Sequence, residues 1–119
     1  MGFRQLKVYQ LGIEQASRIF TLSLNFPKEE RYSMTDQIRR SSRSVLTNIA
    51  EGYRKRQYSK HFCSKMSDAD AENSETSVWL ELALTYNYID DDSFMICVET
   101  NRQIGQLLGY MINNPDRFR

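Results

Sequence analysis

The sequence has little of what most enzymes and secreted domains depend on. Cysteine occurs twice, at Cys63 and Cys97. The two form no Cys-x-x-Cys pair, so neither a redox motif nor a thiolate zinc site has enough ligands. Both thiols are expected to be reduced and partly buried. The single histidine, His61, cannot supply the two Glu-x-x-His units of a di-iron bundle. Two prolines and five glycines are few for a fold rich in tight turns, which favours helices over strands. No apolar run approaches the roughly 18 residues that span a bilayer, and Met1 to Gln10 lacks a signal-peptide core. The expectation is a cytoplasmic protein with no membrane segment. There is no phosphate-binding glycine loop and no Ser/His/Asp or Cys/His constellation. His61 and Cys63 stand two apart and would not face each other on a helix. The chain therefore reads as a non-enzyme without metal or cofactor, and its 119 residues suit one domain, 1–119.

What is present is an uneven distribution of charge. The net charge is +1, but from Lys28 to Lys65 ten Lys/Arg face four Asp/Glu, and from Met66 to Arg119 three face ten. A near-neutral sum conceals a basic middle and an acidic second half.

Periodicity predicts four helices, over about 5–25, 33–56, 59–89 and 93–113. In the first, Leu6, Tyr9, Ile13, Ala16 and Phe20 recur in steps of three and four and form the expected inward stripe. It should end near Asn25-Phe26-Pro27, because proline disfavours helical geometry in the residue before it. A polar linker, Lys28 to Tyr32, follows. Ser33 and Asp36 have the spacing of a capping pair for helix two, whose stripe is Ile38, Ser42, Val45, Ile49 and Gly52, widened by Leu46, Ala50 and Tyr53. Its small residues would admit a close neighbour. Ser59 is placed to cap helix three, with the stripe Phe62, Met66, Ala69, Asn73, Thr76, Leu80 and Ala83. Asp90-Asp91-Asp92-Ser93 makes a turn and favours the start of helix four, which carries Phe94, Cys97, Val98, Ile104, Leu108, Met111 and Ile112. Asn113-Asn114-Pro115 ends it, leaving Asp116 to Arg119 as a tail. Short connections make this an all-α, antiparallel up-down-up-down four-helix bundle.

The hairpin of helices two and three turns near Arg56-Gln57, so positions summing to about 113 should lie level. That sets Arg43 opposite Asp70 and brings Arg39 and Arg40 near Glu72 and Glu75. Two readings follow for these arginines: ion pairs across the hairpin, favoured by the usual fate of charges on facing helices, or contacts to nucleic acid. Asn48, Glu51 and Gly52 read as inter-helix or inter-subunit contacts, with Gly52 permitting close approach. Asp68, Asp70, Glu72 and Glu75 gather carboxylates on helix three, and paired acids fit them better than a metal. The densest basic segment is Arg54, Lys55, Arg56, Lys60 and Lys65, interleaved with Tyr53, Tyr58 and His61. It is either a phosphate-binding surface with tyrosines able to stack on unpaired bases, or a solvated helix end where cations suit the dipole.

Asp36-Gln37-Ile38-Arg39-Arg40-Ser41-Ser42, then Ser44 to Gly52 (Ser-Val-Leu-Thr-Asn-Ile-Ala-Glu-Gly), then Glu75-Thr76 before Trp79-Leu80 resemble the four-helix bundle family of the 23S rRNA intervening-sequence protein. The resemblance spans nearly the whole chain. It implies a small bacterial cytoplasmic protein, commonly a homopentamer, of poorly defined role. The family name reflects genes found inside insertions of large-subunit ribosomal RNA genes. A related branch serves as accessory protein to the reverse transcriptase of diversity-generating retroelements, where a basic pentameric barrel engages nucleic acid and the enzyme. Leu46-Thr47 stands where many relatives carry a proline, so a proline kink does not carry over to helix two. The partners implied are other copies of the chain, RNA or DNA, or a protein bound by a scaffold that touches no nucleic acid.

Overall fold

The structure is a computed structural model that describes residues 2–119. Four helices, α1 (Lys7–Ser23), α2 (Asp36–Arg54), α3 (Ser59–Thr85) and α4 (Asp91–Asn113), pack in a cycle in which each touches the next and α4 returns to α1. Each contact is antiparallel. Gly12 meets Leu46 and Ser23 meets Arg39 between α1 and α2, while Glu51 meets Lys65 and Arg40 meets Glu72 between α2 and α3. Asn73 meets Asn101 between α3 and α4, and Gln15 meets Cys97 between α4 and α1. The result is a bundle with extents of 44 × 25 × 20 Å.

The buried faces of α2 and α3 are those the periodicity predicts. On α3, Phe62, Met66, Ala69, Asn73, Thr76, Leu80 and Ala83 are all buried. Gly52 faces α3 so closely that an added Cβ would lie 2.6 Å from Met66 Cε and 2.8 Å from Lys65 Cβ. Of the expected first stripe Leu6 is buried and Tyr9 and Ala16 are half-buried, but within α1 the buried face lies one position away. Ile13 and Phe20 are 44% and 43% exposed, and the buried face is Val8, Leu11, Gly12, Gln15, Ile19 and Ser23. Two apolar stripes run side by side on α1, and the bundle uses the one that contains a polar residue, Gln15.

Gln15 belongs to a polar layer to which every helix contributes. Its Nε2 donates to Cys97 O and Asn101 Oδ1, both at 2.9 Å. Asn101 Nδ2 donates to Asn73 O and Oδ1 at 2.9 and 2.7 Å, and Asn73 Nδ2 donates back to Asn101 O at 2.9 Å. On the α2 side the Ser41 and Thr76 hydroxyls are 2.8 Å apart. Apolar clusters flank the layer, one around Val8, Ile49, Phe62 and Leu108 and one around Ile19, Ile38, Leu80 and Cys97. Buried amides bonded to one another favour one register of the four helices, although Gln15 Oε1 is buried without a partner.

The helix ends also depart from expectation. Lys28–Glu30 forms a 3-10 turn and Arg31–Thr35 a π-type turn that runs straight into α2, so the linker is helical. Ser33 therefore does not cap α2. Its hydroxyl donates to Glu30 Oε1 at 2.8 Å. Ser59 is the first residue of α3, not its cap. Asp90 does cap α4, accepting from Ser93 N at 2.8 Å. α3 stops at Thr85 because Asn87 adopts φ 62°. Tyr88 N then reaches Ala83 O and Asn87 N reaches Leu84 O, a Schellman closure with asparagine at the left-handed position. Pro115–Phe118 forms a 3-10 turn whose Phe118 ring stacks on Phe62 with centroids 5.7 Å apart, so the residues read as a tail are docked.

Candidate nucleic-acid interface at one end of the bundle

The α2–α3 turn exposes most of the basic segment. Arg54, Lys55 and Lys60 are exposed. Arg56 is held in place, with Nη1 donating to Tyr53 O at 3.0 Å and its guanidinium 4.4 Å from the Tyr53 ring centroid. Tyr58 is 64% exposed and sets its ring edge-on to His61 with centroids 6.2 Å apart. Lys65 does not join this surface. It turns back to α2, with its Nζ 3.6 Å from Oε1 of the exposed Glu51.

Two further segments reach the same end. A 3-10 turn at Phe3–Gln5 precedes α1, and Phe3 packs on the apolar cluster that contains Tyr53 and Phe62. This places Arg4, whose guanidinium lies 4.5 Å over the Phe3 ring, and exposed Lys7 beside the α2–α3 turn. From the other side, the stacking of Phe118 on Phe62 brings exposed Arg117 and Arg119 to the start of α3. Arg119 is 3.4 Å from Asp116, a pair that water screens heavily. The basic end thus joins three stretches of chain, with Glu51 and Asp116 as its nearby acids. Sequence reasoning missed Arg4, Lys7, Arg117 and Arg119, because only the docking of Phe3 and Phe118 makes them neighbours of Arg54.

The opposite end is acidic on balance, with Glu29, Glu30, Glu81 and Asp90 to Asp92 around the α1–α2 and α3–α4 connections and Lys28, Arg31 and Arg39 gathered at its α1–α2 corner. There Tyr88 Oη donates to Glu30 Oε2 at 2.9 Å. With the Ser33 hydroxyl first and Tyr88 second, these bonds hold the Glu30 carboxyl below its ordinary value. The backbone N–H of Ser93 does the same for Asp90.

The arginines of α2 divide three ways. Arg40 fulfils the ion-pair reading, donating to Glu72 Oε2 at 2.6 Å and also to Glu75. Burial raises the Glu75 pKa, but Trp79 Nε1, donating at 3.1 Å, and Arg40 outweigh it and hold the group below its ordinary value. Arg39 meets neither acid. It crosses to α1, where Nε donates to Ser23 Oγ at 2.8 Å and the guanidinium lies 4.8 Å from the Phe20 ring centroid. Arg43 is exposed and does not pair with Asp70, since the Asp70 carboxylate sits on the α4 side, 3.9 Å from where a Cβ on Gly105 would be. Asn48 gives its Nδ2 to Ser44 O of its own helix at 2.9 Å instead of bridging helices. Glu51 does bridge them, through Lys65.

Among the described residues no helix is long and apolar enough to cross a membrane. No curated protein matches the chain. The chain is similar to a solved structure, a protein of unknown function from the S23 ribosomal protein family of Bacteroides thetaiotaomicron VPI-5482. The two share 31% identity and a TM-score of 0.79, over 89% of this chain and 95% of that one. Residues 4–110 match the family described as 23S rRNA-intervening sequence protein, which takes in α1 to α3 and most of α4 but not the docked C-terminal turn. The chain belongs to the 23S rRNA-intervening sequence protein family.

Proposed function

We propose that the protein is a non-enzymatic module that binds nucleic acid through its basic end and works as an oligomer of like chains. The observation that carries the reading is the convergence of Arg4, Lys7, Arg54, Lys55, Arg56, Lys60 and Arg117 from three chain segments onto one end. Clustered, unpaired cations displace counterions from phosphates, and the exposed Tyr58 offers a face on which an unpaired base can stack. Contacts from such cations go to the phosphate backbone, which positions a nucleic acid without reading its sequence. A ring of subunits, with five as the number the family resemblance implies, would multiply the patch and its avidity.

A charge-reversed variant, Arg54→Glu/Lys55→Glu/Arg56→Glu, tests the reading by fluorescence anisotropy on labelled single-stranded RNA, single-stranded DNA and duplex DNA. The expected outcome is salt-sensitive binding by the wild type, weakened at least about tenfold in the variant. Equal affinities for a folded variant would remove the basic end from the account. A second reading has its own observation. Val78 on α3 and Met95 and Ile96 on α4 are large apolar side chains at least half exposed, and such residues suit a protein partner. Recovery of protein but no nucleic acid in crosslinked complexes from cells would favour this scaffold reading.

A further inference from the structure

We infer that the corner between α1 and α2, at the end of the bundle away from the basic end, is a binding site for a phosphate group. A cavity of about 650 Å³ opens there, lined in part by Ser23, Lys28, Arg31, Thr35 and Arg39. Its size falls within the roughly 300–1,000 Å³ common for small-molecule sites.

Arg39 is the centre of the site. Its Nε is fixed by Ser23 Oγ at 2.8 Å, and that hydroxyl in turn donates to Phe20 O at 2.9 Å. With the Phe20 ring beneath the guanidinium, the fork is oriented without any carboxylate. Its two terminal nitrogens have no hydrogen-bond partner among the described residues, whereas both terminal nitrogens of Arg40 are bound by glutamates. A guanidinium held in one geometry with its paired donors unspent is suited to a bidentate oxyanion.

The remaining wall has the same character. Lys28 and Arg31 have no carboxylate within ion-pair distance among the described residues. The neighbouring Glu30 is committed to Ser33 and Tyr88. Thr35 also lines the cavity, and its hydroxyl, which makes no hydrogen bond among the described residues, remains accessible there. Against the three cations stands one lining carboxylate, Asp36. The lining therefore selects a ligand of net negative charge. A planar fork, an ammonium, a second guanidinium and a hydroxyl supply more donors than one carboxylate accepts and suit the several oxygens of a phosphate. Inorganic phosphate and a mononucleotide are the two sources of that chemistry. A mononucleotide would also use Tyr32, which lines the cavity with its ring exposed, and the Asp36 carboxylate as acceptor for a sugar hydroxyl.

Calorimetric titration of the full chain with inorganic phosphate and with AMP, at constant ionic strength, tests the site. The comparison set is wild type, Arg39→Lys, the surface double variant Lys28→Gln/Arg31→Gln, and Tyr32→Ala, each checked for a cooperative thermal transition. The expected result is saturable binding by the wild type, weakened at least about tenfold by the double variant and by Arg39→Lys, which keeps the charge but loses the fork. AMP binding tighter than phosphate and weakened by Tyr32→Ala identifies a nucleotide site. Equal affinities, unaffected by Tyr32→Ala, identify phosphate alone. Absence of saturable binding by the folded wild type, or equal binding by the folded double variant, overturns the proposal. Saturable binding that the charge-reversed basic-end variant loses and the double variant keeps would place the phosphate at the basic end and overturn the proposal.

Discussion

Removing the Asn101 side chain would leave Gln15 Nε2 without its Oδ1 acceptor and Asn73 Oδ1 without a donor, in a layer where no water-exposed alternative lies nearby. Asn101→Ala is therefore expected to destabilise the fold by about 2–4 kcal/mol, a cost set by the stranded partners more than by the lost bonds. Urea unfolding reads it directly. Gly52→Ala acts by a different cause. One of the atoms met by the new Cβ is Lys65 Cβ, which is anchored to the α3 backbone and cannot swing away, so α2 and α3 must separate. The expected cost is about 1–3 kcal/mol by the same measurement. These two residues mark the limits of legibility in the sequence. Gly52 could be read, because a glycine on the inward face of a helix implies close approach whichever neighbour is chosen. Gln15 and Asn101 could not, since a polar side chain breaks the apolar stripe it lies on and looks like a surface residue until its partner, 86 positions away, is known.

At the scale of elements, α2 and α3 were legible because each has a single inward stripe, and the level positions of their hairpin follow from its turn. On α1 the second stripe, with Ile13 and Phe20, competes on equal terms, and periodicity alone cannot rank the two. The ends were harder still, because caps depend on geometry that several nearby polar residues could supply. Asn87 is the exception with a local signature, as asparagine tolerates φ 62° better than most residues. Asn87→Val should cost about 1–2 kcal/mol and Asn87→Gly almost nothing; thermal melts of the pair check this. The acidic end gives a pH dependence. The folded-state pKa values of Glu30 and Asp90 lie below the ordinary 4.5 and 3.8. Their contribution to stability is thus present above those values and is lost as pH falls through the folded ones. Melting temperature should decline on acidification below about pH 4.5. Asp90→Asn, which keeps the capping oxygen and loses the charge, should show a smaller decline.

For the molecule as a whole, polarity of charge is the property that ties fold to function. Divided along the chain, the charge is basic in the middle and acidic after it. Divided along the bundle, it is basic at one end and acidic at the other, because antiparallel helices bring the N-terminal turn, the α2–α3 turn and the C-terminal turn together. The five-residue basic segment was visible in the sequence, but it lost Lys65 to Glu51 and gained Arg4, Lys7, Arg117 and Arg119 on folding. Phe118 holds part of that gain. Phe118→Ala should lower stability by about 1–2 kcal/mol, in keeping with its partial burial, and should weaken nucleic-acid binding although it removes no charge.

The central claim is that the basic end acts as one assembled surface and not as a local turn, and the salt dependence of single-stranded RNA binding tests it most directly. Log affinity falls against log salt by about 0.7 for each phosphate contacted on a single strand. Comparing the wild type with Arg4→Gln/Arg117→Gln, two positions far from Arg54 in sequence, should reduce that slope by about 1.4 if both contact phosphate. An unchanged slope and affinity in the folded double variant would contradict the assembled surface, and absence of binding by the wild type at low salt would contradict the nucleic-acid reading itself.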